Sequence, residues 1–317
     1  MRVLFIYPRQ DYGDENHGLG LEELHMVMSL VDAGVVVTRF DFNGTMQRHG
    51  QQIMNELLRT EFSNGPYDAI IYVPLDGTEI TEETWSYVEN KTPRVLWLFN
   101  DVWRFSSFGC ERCWDYDWVV TDDPAGEQKY KDLGFGDNVL FVPRGCRTKW
   151  FRDYNPSADR PIDISFVGQA YGYRPEKLKA ILELLPPDTK TLIGNFNQKY
   201  FKWADYVSVM GGSKIVLSFG KASQGDHWQI KTRDFEATAA GALLLADSPD
   251  VELVLDDGLE FCLFDTPESA VEKIKYYLAH PEERIDIASR GQAYTMSHHD
   301  YRFRFDELFR RMGLIHG

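Results

Sequence analysis

Apolar residues in this chain gather in short unbroken runs, and the polar stretches between them carry helical spacing. Val3-Leu4-Phe5-Ile6-Tyr7 is the first such run. A loop rich in glycine and charge follows over 11–20. Leu21, Leu24, Met28 and Val31 then recur at the period of a helix that stops at Gly34. The β-branched run 35–40 and the apolar runs 69–73, 94–99, 118–120 and 139–142 predict further strands, with helices over 55–62 and 81–88. Strands without a polar face are buried on both sides, as in a parallel sheet covered by helices above and below.

The rhythm breaks between Arg144 and Pro161, a polar, proline-bearing stretch that predicts a linker. It divides the chain into a first domain over 1–150 and a second over 151–317. The second series predicts strands over 163–168, 191–193, 214–219, 242–246 and 261–264. Its helices fall over 175–185, 232–240, 267–279, 281–294 and 301–312. The expected fold is α/β, with two Rossmann-like doubly wound domains that bind ligands at the carboxyl ends of their strands. A length of 317 residues suits about two domains.

Composition narrows the function classes. A net charge of -15 repels nucleic-acid phosphate and anionic lipid at long range, so a phosphate ligand needs a local basic pocket. The 14% aromatic share fits large cores before it argues for sugar-stacking surfaces. Cys110, Cys113, Cys146 and Cys262 read as reduced thiols, and no apolar run approaches the roughly 18 residues of a membrane span. The opening run is cut by Pro8 and Arg9, as a buried strand is, and the expected compartment is the cytoplasm.

The segment 231–247 carries the most chemistry. Thr232 is placed to cap a helix whose first residues are Arg233, Asp234 and Phe235. Arg233 and Glu236 share a face. A helix N-terminus with free amides and the cations of Lys231 and Arg233 suits a phosphate. Glu236, one turn in, is placed to accept from two adjacent ribose hydroxyls. Opposed to this stands an ordinary capped helix with a surface ion pair. A second helix start follows the strand that ends at Gly168, with Arg174 and Lys177 beside it. Together they favour a nucleoside diphosphate.

Residues 163–310 resemble the C-terminal domain of the spore-maturation CgeB-like glycosyltransferases, within the retaining GT-B superfamily. The matching residues are 163–168, Arg174, 213–217, Arg233-Asp234-Phe235-Glu236-Ala237, 240–244 and 281–284. The first half is similar more loosely, through Asp101 and 116–121. The resemblance implies two domains facing a cleft, with an acceptor-side domain first and a donor domain second. It implies that Glu236 binds the donor ribose and that Arg174 neutralises the diphosphate leaving group, with Lys231 and Arg233 as alternatives. It also implies retention at the anomeric carbon. The superfamily often has another glutamate eight positions earlier, where this chain has Trp228; Asp226 or His227 are the substitutes nearby.

In the first half, Asn16-His17-Gly18-Leu19-Gly20 lies where the resembling folds face the cleft. Gly18 and Gly20 would admit the donor backbone-close, and His17 would polarise a sugar hydroxyl or move a proton. An exposed loop histidine is the competing reading. Asp101 is a candidate for an acceptor hydroxyl, or else a cap for the next element. Cys110-Glu111-Arg112-Cys113 lacks the second ligand pair that zinc wants, and His298-His299-Asp300 reads as a surface turn.

The reaction expected is sugar transfer from a nucleoside-diphosphate sugar to an acceptor hydroxyl, with no metal and no cofactor beyond that co-substrate. The acceptor stays open among glycan, protein and metabolite, with nucleic acid disfavoured. An isomerase or epimerase of nucleotide sugars on the same fold, and a non-catalytic nucleotide- or glycan-binding protein, are the alternatives. A dinucleotide oxidoreductase is disfavoured by the glycine spacing.

Overall fold

A computed structural model describes residues 1–75, 77–88, 91–194 and 201–315. The chain forms two compact units, Met1–Pro143 with Tyr301–Gly317, and Arg144–Asp300. Among the described residues no helix is long and apolar enough to cross a membrane.

The first unit holds a six-stranded sheet, order β2-β1-β3-β4-β5-β6. Its strands are β1 (Arg2–Tyr7), β2 (Val36–Asp41), β3 (Ala69–Tyr72), β4 (Arg94–Leu98), β5 (Trp118–Thr121) and β6 (Val139–Phe141), all parallel. Side chains alternate across the sheet. Val3, Phe5 and Tyr7 join one core, Leu4 and Ile6 the other, which is why β1 reads as an unbroken apolar run. The first helical stretch is not uniform. It opens as a π-helix over Glu22–Val27 and continues as an α-helix over Met28–Asp32. The wider turn buries Glu23, which accepts the Tyr7 hydroxyl and pairs with Arg39 Nε at 3.2 Å and Arg9 Nε at 3.5 Å.

The second unit holds a five-stranded parallel sheet, order β11-β10-β9-β7-β8. Its strands are β7 (Ile162–Val167), β8 (Thr191–Gly194), β9 (Ser213–Ser218), β10 (Leu243–Ala246) and β11 (Cys262–Leu263). The helix Thr232–Ala239 sends Phe235, Ala237 and Ala239 into one core with Val167 and Val216. On the other face Ile164, Phe166, Ile215 and Leu217 pack with Ile181 of the helix Arg174–Leu184 and Ala270 of the helix Pro267–Ala279. The strand order turns back between β7 and β9, and such a switch point leaves a crevice at the carboxyl ends of the two strands.

Three expectations change. The polar stretch 144–161 is built into the second unit: Cys146 and Phe151 are fully buried, and Arg160 donates to the carbonyls of Ser213, Asn155 and Ala240. The last of these closes the C-terminus of the helix Thr232–Ala239. The division accordingly falls after Pro143, and the helix Tyr301–Arg311 belongs to the first unit, not to the end of the second. There Phe305 sits 5.1 Å from the Trp97 ring and 6.2 Å from Phe5. Finally, His298-His299-Asp300 is no surface turn as a whole. Asp300 is buried and accepts from Thr148 N–H at 2.9 Å, and the His299 ring lies 4.5 Å from Phe235.

Asp101 is also corrected. It begins the short helix Asp101–Arg104, behind Asn100 in the left-handed region. Its side chain turns inward and is fully buried. Oδ2 accepts from Thr121 at 2.7 Å and Tyr130 at 3.0 Å, while Oδ1 has no partner. It braces the core below the loop and offers nothing to an acceptor. Burial pushes its pKa up to about 6, from an ordinary 3.8.

Two outcomes follow. Phe305→Ala should destabilise the first unit by about 3–5 kcal/mol in denaturant titration. The folded Asp101 carboxyl keeps its proton to higher pH than the unfolded one. The folded state therefore binds more protons, and stability falls as pH rises between about 4 and 6. Asp101→Asn should flatten that part of the stability–pH curve, measured by urea unfolding at several pH values.

Candidate active site

The crevice of the second unit is walled by the loops after β7 and β9. Arg174, at the start of the helix that follows β7, ties these loops together. Its Nη2 donates to the carbonyls of Phe219 at 2.8 Å and Lys221 at 3.3 Å, and its Nη1 to that of Gln169 at 3.3 Å. The Tyr171 ring stacks 3.9 Å from the guanidinium carbon. The side chain is 4% exposed, and burial, more than the nearby Arg233 charge, pushes its pKa down. The guanidinium expected at a leaving group is here bonded to loop carbonyls. Arg174 is a strut for the crevice.

Asp247 is the matching strut on the third loop, after β10. Its Oδ1 accepts from Gly220 N–H at 2.7 Å. Its Oδ2 accepts from the Tyr173 hydroxyl at 2.6 Å and from Lys177 Nζ at 3.0 Å. Lys177, read as a cation at a helix start, is therefore committed to a buried carboxylate.

Arg233 is the cation that remains beside the crevice. Its guanidinium lies against Gly168, where an added Cβ would come within 2.0 Å of Nη2. Only glycine leaves it that space, so Gly168 serves the site by making room for a side chain. The guanidinium carbon lies 4.9 Å from the Phe166 ring, and Nε is buried without a hydrogen-bond partner. Arg233 and Arg174 are near enough for Arg233 to disfavour the charge on Arg174. Two guanidiniums in one crevice make a local positive field inside an acidic protein.

Glu236 is one turn further along the same helix and only 2% exposed. It accepts a hydrogen bond from Tyr206, on the helix Trp203–Gly212. Burial, and next the Glu236 charge, raise the Tyr206 pKa, so the hydroxyl keeps its proton; Arg233 also bonds to it. Gly168, Arg174, Arg233 and Glu236 are thus brought together, with Tyr206 as a member that sequence reasoning missed. Its signal was faint: one tyrosine in a helix that the apolar pattern did not mark.

The helix start itself differs from the expectation. Lys231, not Thr232, holds the cap position, and the Asp234 carboxylate accepts its backbone N–H at 2.7 Å. Asp234 also accepts from Ser218 at the end of β9, and burial pushes its pKa up to about 6. The Lys231 ammonium donates to Gln229 Oε1. In the loop after β9, Lys221 pairs with Asp226 and lies 5.0 Å from the Trp228 ring; Asp226 and His227 are exposed.

In the first unit, His17 Nε2 lies 3.5 Å from Asp14 Oδ2. Gly18 has φ +82° with open space where a Cβ would stand. The amide of Gly20 donates to Arg9 O at 2.8 Å, and the Gly18 carbonyl accepts from Asp11 N–H at 3.0 Å. The loop closes on itself through these bonds, and the Gly20 amide is engaged within it. Cys110 and Cys113 are free thiols, and no group of three or more potential metal ligands occurs among the described residues.

Residues 162–310 match a family model described as glycosyl transferase-like. No curated protein matches the chain by sequence. Among solved structures the chain is similar to Anabaena Alr3699/HepE in complex with UDP and glucose, with 13% identity and a TM-score of 0.67. That likeness covers 99% of this chain and 100% of the other. It is also similar to sucrose-phosphate synthase from Thermosynechococcus elongatus, with 11% identity, 98% and 99% coverage and a TM-score of 0.64. A third likeness is to AviGT4, a glycosyltransferase involved in avilamycin A biosynthesis, with 12% identity, 98% and 97% coverage and a TM-score of 0.57. At these identities the structures establish the fold, and the family model speaks for residues 162–310. By these likenesses and by its two Rossmann-like units the chain has the GT-B fold, and its residues 162–310 match the glycosyl transferase-like family model.

Proposed function

We propose that this chain transfers a sugar from a nucleoside-diphosphate sugar to an acceptor hydroxyl, and that the second unit holds the donor. The observation that carries this reading is Arg233 and Glu236 on successive turns of one helix, with Gly168 clearing the space beside them. A diphosphate would meet the guanidinium and a ribose the carboxylate. Alr3699/HepE, which shares the fold, has been solved with UDP and with UDP-glucose, and uracil is accordingly the first base to test.

Negative charge grows on the diphosphate as the glycosidic bond breaks. Preorganised cations lower that barrier, and Arg233 is assigned this task. Arg174 holds the loops that place it. Lys231 adds charge at the helix start. With these cations the reaction is proposed to need no metal, and retention and membership of the CgeB-like branch follow from the resemblance around Glu236. In the first unit His17 is the group assigned to polarise a hydroxyl, beside the open backbone of Gly18. The free thiols suit the cytoplasm.

A second reading has one observation behind it. Trp228 stands where related enzymes often carry a glutamate, and the loop presents an indole and the Lys221 ammonium instead. A protein that binds the nucleotide without transferring sugar would fit this. Incubation with a UDP-sugar, followed by chromatography for released UDP, separates the two. Release of UDP at a rate dependent on Arg233 supports transfer; none, with nucleotide bound, supports the second reading.

Binding is tested by thermal shift with nucleoside diphosphates. At least one should stabilise the wild type, and Glu236→Gln should weaken it roughly tenfold or more. Equal stabilisation of the variant would overturn the ribose assignment. Arg233→Lys should lose nucleotide affinity with little change in the melting temperature of the free protein. Arg174→Lys should lower that melting temperature, because carbonyls of two loops lose their donor. Gly168→Ala should behave like Arg233→Lys.

A further inference from the structure

A cavity of about 330 Å³ opens in the first unit between the loops that follow β3 and β4. Aromatic rings form part of its lining. The rings of Tyr72 and Tyr116 are stacked with centroids 6.2 Å apart, and Trp85 meets Tyr116 edge-on at 5.4 Å. The wall is held in place from behind. Tyr72 donates its hydroxyl to buried Glu79 at 2.7 Å, and Glu79 also accepts the Leu75 N–H at 2.9 Å. Asn55 donates to Glu79 O at 2.9 Å and accepts from Thr81 N–H at 3.0 Å. Gly77, with φ +79°, lies so close to Phe108 that a Cβ would come within 2.3 Å of the ring. Tyr72, Leu75, Glu79 and Thr81 are thereby tied together beside the cavity.

The rim is charged. Arg112, Asp115 and Glu82 line it, and their side chains make no hydrogen bond or ion pair with any described residue. The Tyr116 hydroxyl is likewise unpaired, and burial keeps its pKa above the ordinary tyrosine value, so it remains a donor. The pocket is lined by ring carbon together with a cation, a hydroxyl and two carboxylates. Nothing in the proposed donor chemistry uses these groups.

That combination selects a ligand class. The volume is near the lower end of the roughly 300–1,000 Å³ of small-molecule sites, which suits about one ring. A phosphate or carboxylate would meet one cation and two carboxylates, a net repulsion. A flat hydrocarbon would leave the rim groups unpaired. A neutral sugar ring satisfies both parts: its C–H face lies on aromatic carbon, and its hydroxyls accept from Arg112 and donate to carboxylates. We propose that this pocket binds the neutral terminal sugar ring of the acceptor. The proposal rests on the sugar-transfer reading for its meaning, while the pocket itself can be tested without a donor.

The test uses the full chain and saturation-transfer NMR with methyl glycosides of glucose, galactose, mannose and N-acetylglucosamine, without nucleotide. At least one should bind the wild type. Arg112→Gln should weaken it about tenfold, and Tyr116→Phe, which keeps the ring, by several-fold. The thermal shift with nucleoside diphosphate should stay unchanged in both variants. Binding of no glycoside, equal binding in both variants, or binding of methyl glucuronide alone would overturn the proposal. Glycoside binding that responds to both variants, in a protein that no nucleotide stabilises, would uphold the pocket and sink the donor reading instead.

Discussion

The second unit depends on one buried cation. Arg174 spends its guanidinium on carbonyls from the loops after β7 and β9, the two strands that flank the switch point. Loop carbonyls at the end of a parallel sheet have no strand partner, and burying them unpaired is costly. A guanidinium has five donors in a rigid fork and can serve several at once. Asp247 does the complementary work for the Gly220 amide. These two side chains settle the donors and acceptors of the loops beside Arg233 and Glu236.

The same logic explains what was legible in the sequence. Strands such as 69–73 and 242–246 are buried on both faces, so their apolar runs announce them. The helix Thr232–Ala239 is equally plain, because apolar and polar residues alternate at its period and Gly241 stops it. Short or amphipathic pieces fared worse. The helices Phe42–His49 and Gly126–Leu133 were not anticipated, since polar residues fill most of their positions. The stretch 144–161 read as a linker from composition alone. Arg160 shows why composition misleads there: a cation buried at 4% exposure closes a helix by donating to its last carbonyls.

The site was legible in its members more than in their roles. Gly168, Arg174, Arg233 and Glu236 do gather, but which cation faces outward is decided by packing. Arg174 and Arg233 are identical in chemistry, and only the space beside Gly168 and the nearby loop carbonyls distinguish them. Asp101 shows the same limit. A carboxylate after a strand looks like a ligand group, yet Thr121 and Tyr130, distant in sequence, draw it into the core. Tyr206, which contacts Glu236 from another helix, belongs to no local pattern at all.

The return of the helix Tyr301–Arg311 to the first unit has a consequence for biosynthesis. Tyr301, Phe305, Leu308 and Phe309 fill the core against Val3, Phe5 and Trp97. During translation every residue of the second unit is made before those four. The earlier-made sheet therefore lacks the cover for one apolar face until the residues of the intervening unit have been synthesised. The first unit is thus begun before the second and receives its last core side chains after it, which leaves an apolar surface open in any partial chain.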